Sequence, residues 1–222
     1  MIEISPQTIT LLPSTSDIVS AWQKMAMFDA VLTADRFLRV FEFEEDWMPQ
    51  TKHGSINNGQ GDCIAGVFGI DGAIIEGYNA RAASEIGQIP WMLAAEDVPV
   101  PACFRPYLRH RAMDCGGCTF CVWRTANDKE WQQLQCMIAN RKAATCPIEM
   151  LGFLCGKEED FREWALENYV EMGKPAELRE LIRRVFAWQP LSEGMLSSID
   201  LRGRTFKDVR DAALKIGYPS AG

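Results

Sequence analysis

Three cysteines stand at every third position in DCGGCTFCVWR, residues 114–124: Cys115, Cys118 and Cys121. Thiols at this spacing suit four kinds of chemistry. A structural zinc site needs four ligands, usually as two pairs on short turns. Cys115-Gly-Gly-Cys118 has the spacing and the glycines for one pair, but no second pair stands elsewhere. A site from Cys103, His110, Cys115 and Cys118 is the only zinc quartet to be drawn. An iron–sulfur run shares C-x2-C-x2-C, but its fourth cysteine with a following proline is missing at the expected offset. Cys146-Pro147 comes much later in the chain. A redox C-x-x-C sits at a helix N-terminus after a strand, whereas this pair precedes a strand. Arg109 and Arg111, close in sequence, could still favour a thiolate. The fourth role is packing. Cys121, between Phe120 and Val122, reads as a strand residue in a core, which leaves Cys115 and Cys118 as loop thiols. The balance favours packing, with Cys115, Cys118, Cys121 and His110 as the candidate metal or redox residues.

Carboxylates are the next chemistry-bearing group. Glu42, Glu44, Glu45 and Asp46 form an acidic run. On a strand, Glu42 and Glu44 share one face, as acids paired for a cation or for proton transfer could. No partner motif accompanies them, so a solvated strand end is the simpler reading. The glycines of NNGQGDCIAGVFG lead into a strand instead of opening a helix, and there is neither GxxxxGK[ST] nor GxSxG. His53 falls in a polar segment and His110 among arginines and aromatics, both without a serine or carboxylate pattern. An enzyme is therefore not the expected class.

The elements that must position these residues follow from periodicity. Ser14 or Ser16 caps a short helix to Met25, with Ile18, Trp22 and Met25 on one side. Phe28–Leu32 and Arg36–Trp47 read as strands. The segment 53–62, HGSINNGQGD, reads as a loop. Asp71-Gly72 between apolar runs predicts a hairpin pairing Asp62–Gly69 with Ala73–Asn79. Residues 80–113 are irregular, with a helical turn near Cys103–His110. Thr119–Arg124 is a strand, and Glu130–Cys136 reads as its return, with periodicity equally open to a helix there. Pro147 opens a helical region. Helices are predicted over Glu158–Met172 and Pro175–Trp188, then from Ser192 to Ile199, and from a Thr205/Asp208 capping box to Gly217. The fold class is α+β: an antiparallel sheet in the N-terminal two-thirds, with a helical C-terminal third packed against it. Residues 1–146 form the strand-rich part and 147–222 the helical part, within one compact unit.

Composition narrows the function classes. The 222 residues are 47% hydrophobic and 24% charged, enough for a good core and too apolar for disorder. No run approaches the roughly 18 apolar residues of a membrane span. The N-terminus lacks a basic stretch followed by an apolar block, so a cytoplasmic location without a signal peptide is expected. There the eight cysteines should be reduced, and a disulfide framework is not expected. Net charge is −9 over residues 1–100, +3 over 101–156 and −1 over 157–222. The acidic half disfavours nucleic acid and suits a basic protein partner. Trp47, Trp91, Trp123 and Trp131 fall in or near the strand half, and tryptophan is a favoured interface anchor. Glu42, Glu44, Trp47 and Trp91 are the candidate partner contacts.

GDCIAGVFGIDGAIIEGYN, TFCVWR, FREWALENYVEM and the terminal KIGYP together resemble a group of bacterial cytosolic proteins without an assigned reaction. The likeness runs from about Phe28 to Pro219. Members of that group have the TFC segment without the preceding C-G-G-C, so Cys115 and Cys118 depart from the pattern. In size, acidity and mixed α+β character the chain also resembles immunity-type proteins of toxin systems, by analogy of shape and charge only. The leading expectation is a non-enzymatic protein-binding module of immunity-like type, binding through the sheet and its 53–62 loop. The alternative is a metal-binding or thiol-redox protein using Cys115 and Cys118.

Overall fold

The computed structural model describes residues 3–5, 7–86, 100–113, 115–134 and 148–221. Six strands form one antiparallel sheet whose spatial order is the order of the chain. They are β1 (Phe41–Met48), β2 (Thr51–Asn57), β3 (Cys63–Gly69), β4 (Gly72–Tyr78), β5 (Phe120–Thr125) and β6 (Gln132–Gln133). The helices are α1 (Thr15–Leu32), α2 (Ala80–Ile86), α3 (Arg105–Leu108), α4 (Glu149–Phe153), α5 (Glu158–Asn168), α6 (Pro175–Phe186), α7 (Glu193–Leu196) and α8 (Phe206–Ile216). The α+β architecture, with the sheet in the N-terminal part and helices through the C-terminal part, is as expected.

Side chains alternate across the sheet, and the register sorts them. Phe43, Gly54, Gly66, Ile75 and Val122 fall in one row. That row lies on the face covered by α1, because Trp22 of α1 stacks directly on Gly54 and Gly66. The Trp22 indole N–H donates to the Ser55 carbonyl at 3.2 Å. The opposite face carries Glu42, Ser55, Ala65, Glu76 and Cys121 in one row. Glu44, His53, Val67, Ile74 and Trp123 form the next.

Helix α1 is buried on nearly every side, because the sheet covers one face and the C-terminal helices the other. Its Ser14 cap accepts from Asp17 N–H. Gln23 donates to the Ile216 carbonyl at 2.9 Å, and Trp188 donates to Ser20 at 3.1 Å. Arg204 donates to the carbonyls of Ala30 and Val31, two of the groups that a helix C-terminus leaves unpaired. Phe161, Trp164 and Tyr169, from α5 and its end, meet Phe28 of α1 and Phe41 of β1 edge to face.

Two expectations are corrected. Phe28–Leu32 is not a strand but the last turns of α1. Its β-forming residues are held helical by burial between two layers, which outweighs local propensity. His53–Asn57 is not loop but most of β2. Its polar look comes from His53 and Ser55 on the far face and from Gly54, which must stay small beneath Trp22. The loop proper is residues 58–62, where Gly59 and Gly61 take positive φ. The predicted hairpin is present, with Gly69 paired to Gly72. The predicted strand at 119–124 is β5. Its return is β6, and Cys136, like Pro147, lies outside the described residues.

Asp29, one turn from the end of α1, is fully buried. Its carboxylate accepts from Val40 N–H at 2.7 Å and Phe41 N–H at 3.0 Å. The hydroxyls of Thr33 and Tyr169 flank it. Burial pushes the carboxyl above the usual carboxylate range, and these donors only partly offset that.

Two tests follow from the α1–sheet contact. A Cβ at Gly54 would lie 2.5 Å from the Trp22 ring. Gly54→Ala is expected to cost about 1–3 kcal/mol as overpacking, read from urea midpoints. For Asp29, the native state binds more protons than the unfolded state between the normal and raised values, so its contribution to stability falls as pH rises. The stability of Asp29→Asn relative to wild type should therefore increase with pH. A difference that is flat with pH would show that the carboxyl is not perturbed.

Candidate functional site

The cysteines do not gather as a metal site would require. Cys115 is disulfide-bonded to Cys63, the first residue of β3, with Cα atoms 5.4 Å apart. This corrects the expectation that no disulfide forms. The two stand 52 positions apart in the sequence, and nothing in the spacing of eight cysteines singles out this pair. Cys118 donates its S–H to the Phe120 carbonyl at 3.1 Å. Cys121 is buried in β5, as a core residue would be. Cys103 is half-buried, and burial together with Asp71 raises its thiol. Among the described residues, no three His, Cys, Asp or Glu side chains converge as a cation site. The zinc quartet drawn from Cys103, His110, Cys115 and Cys118 is thus taken apart by the fold.

His110 belongs to a different cluster. Its ring stands edge-on to Trp47, with centroids 4.7 Å apart. His53 packs on the same Trp47 ring with centroids 5.0 Å apart, and Tyr107 lies 6.4 Å from it. His53 Nε2 is 3.1 Å from the Ala112 carbonyl. The cluster therefore clamps residues 107–112 onto the β1–β2 edge of the far face. Trp47 serves this contact and is only partly exposed. Trp131 is buried, its N–H donating to the Pro13 carbonyl at 2.8 Å. Trp91 lies outside the described residues.

Glu42 and Glu44 do share a face, but not as free acids. Arg36 reaches both, at 2.7 Å to Glu42 and 2.5 Å to Glu44. An arginine held between two carboxylates offsets one of their two negative charges and occupies the oxygens that a cation site or a basic partner would seek there. Arg36 opens a 3-10 turn, Arg36–Leu38, between α1 and β1. Asp35 caps the turn by accepting from Phe37 N–H at 3.0 Å. Arg39 closes it by donating to the Thr33 carbonyl at 3.0 Å. The turn is fastened at both ends, and it holds two apolar side chains out in water: Phe37 is 96% exposed and Leu38 73%.

Beside this tip lies a cleft of about 260 Å³ between β1 and α8. Arg36, Arg39, Phe43, Glu44, Asp211 and Lys215 are among its lining residues. Sequence reasoning missed the tip because Arg36–Trp47 reads as one continuous strand. The available signal was Asp35, a turn-capping residue that separates Arg36–Arg39 from the strand.

Compared with protein families, curated proteins and solved structures, the chain matches none.

The His53 environment generates a pH test. Burial pushes its imidazole below 6.5, and the Ala112 contact and the two glutamates only partly oppose this. The unfolded state then binds more protons than the native state near and below that pH. The stability contribution of His53 is complete above 6.5 and is lost as pH falls through and below it. His53→Gln is expected to flatten this part of the urea-midpoint profile between about pH 5 and 7.5. An NMR titration placing His53 at or above 6.5 would contradict the burial argument.

Proposed function

We propose that this chain is a non-enzymatic, protein-binding module of the bacterial cytosol, immunity-like in type, and that its contact surface is the corner formed by residues 35–44. The observation that carries this reading is the Phe37–Leu38 tip, almost fully in solvent on a turn fastened at both ends. Scattered exposed apolar residues are ordinary. A pre-ordered aromatic beside an aliphatic side chain is different, because a partner can bury both without the entropy cost of ordering them. The neighbouring cleft offers polar groups for a rim around that apolar anchor.

The surface differs from the one expected in the 53–62 segment, since β2 is interior to the sheet. Glu42 and Glu44 act here by positioning Arg36, and Trp47 acts by packing. A basic partner stays in keeping with the charge of −9 over residues 1–100, which would steer encounter at long range. A Cys115/Cys118 metal or redox pair is the weaker reading, because the Cys115 sulfur is bonded to Cys63.

A photo-crosslinking residue at position 37, with a control at the exposed Val170, tests the proposal in cells that express the native gene. Position 37 should give a discrete protein adduct and position 170 should not. Phe37→Ala with Leu38→Ala should abolish retention of that partner while changing stability by no more than about 0.5 kcal/mol, as for an ordinary surface site. Equal labelling at both positions, or unchanged retention by the double variant, would reject this surface.

A further inference from the structure

We propose that the Cys63–Cys115 disulfide is a thiol-exchange site, opened by a dithiol, that latches residues 100–113 over the far face of the sheet. The connection between β4 and β5 is the first reason. These neighbouring antiparallel strands need only a short turn, yet residues 79–119 intervene. Excursions of that length within a compact fold tend to carry function. The described part of this one returns over the sheet. Phe104 and Met113 are buried, and Ala65, Val67 and Ile74 are buried on the sheet face that it crosses.

The kinds of fastening that hold the segment are the second reason. They include the His53–Ala112 contact, the Trp47 ring cluster, the buried Phe104 and Met113, and the disulfide two residues beyond Met113. The disulfide is the one covalent fastening among them.

Access is the third reason. Cys63 and Cys115 are both partly buried and still reach solvent. A Cβ built on the adjoining Gly116 would meet nothing within 4 Å, so open space lies next to the Cys115 sulfur's own loop. Cys63 is flanked instead by paired strands, with Asn57 on one side and Tyr78 on the other. An incoming thiolate therefore attacks Cys115. The Cys63–Cys115 bond breaks as the mixed disulfide forms, and Cys63 leaves as a thiolate and takes up a proton. The second thiol of the dithiol then attacks the mixed disulfide and releases Cys115 as a thiol. Two electrons enter the protein, and the dithiol departs as its own disulfide. In a reducing compartment, disulfides that do form are characteristically transient and redox-sensing.

The experiment uses the intact chain, with dithiothreitol as the dithiol and hydrogen exchange read by mass spectrometry. Differential alkylation should show Cys63 and Cys115 protected before treatment and labelled after it. Exchange over 100–113 should then rise by about tenfold or more, as for a local opening, while α1 keeps its protection. Cys63→Ser should show the opened pattern without reductant and no further response to it. The proposal is overturned if Cys63 and Cys115 are both alkylated without reductant. It is equally overturned if 100–113 stays protected after reduction, or if protection is lost throughout, α1 included. The last result would make the bond a global staple. The partner-binding corner plays no part in this readout, so the two proposals fail separately.

Discussion

A single buried carboxylate joins the two halves of the architecture. Asp29 belongs to α1, and the amides it holds belong to the start of β1. An ionised acid in such a place is costly unless donors surround it. Here the donors are backbone groups that would otherwise lack partners as the chain leaves a helix and enters a sheet. The same pairing sets where β1 begins. It thereby sets the register in which Phe41 and Phe43 face the core while Glu42 and Glu44 face away. It also closes the span from Thr33 to Val40 into a short bridge. Within that bridge the Arg36–Leu38 turn has little freedom, and its apolar side chains are displayed on a frame rather than on a loose loop.

Around that junction the molecule is layered. Trp22 lies flat on a pair of glycines and brings α1 as close to the sheet as an aromatic ring permits. The C-terminal helices then cover the opposite side of α1, with aromatic rings meeting edge to face. The far face of the sheet is organised differently. Its apolar residues are fewer, and its fastenings include a disulfide, two histidines and a tryptophan. One side is thus a packed core and the other a fastened cover. They differ in the kind of force that holds them, and so in the conditions that loosen them.

How far this could be read from the sequence depended on how local the cause was. The hairpin at Asp71-Gly72, the box at Thr205/Asp208 and the apolar periodicity of α6 and α8 are set within a few residues, and they were legible. The end of α1 was not. Phe28–Leu32 has strand-forming residues, and only neighbours far along the chain hold it helical. β2 was hidden for a related reason, since Gly54 marks the place of Trp22 and not a turn. At the candidate site, Glu42 and Glu44 were correctly set on one face, but their partner Arg36 was concealed inside an apparent strand. The Cys63–Cys115 pairing depends on where a long excursion lands. Nothing in the thiols' own neighbourhoods encodes that.

The contacts of α1 also bear on how the chain acquires its form during synthesis. The carbonyls of Ala30 and Val31 find their donors on Arg204, and Gln23 finds its acceptor at Ile216. α1 leaves the ribosome well before Arg204 and Ile216 are available to it. The meander, built from sequential neighbours, can assemble in that interval. The helix laid across it must wait with one flank and its final turn open to water. The nascent protein is therefore most exposed to misassociation until those residues emerge, along a flank of α1 that the folded molecule covers.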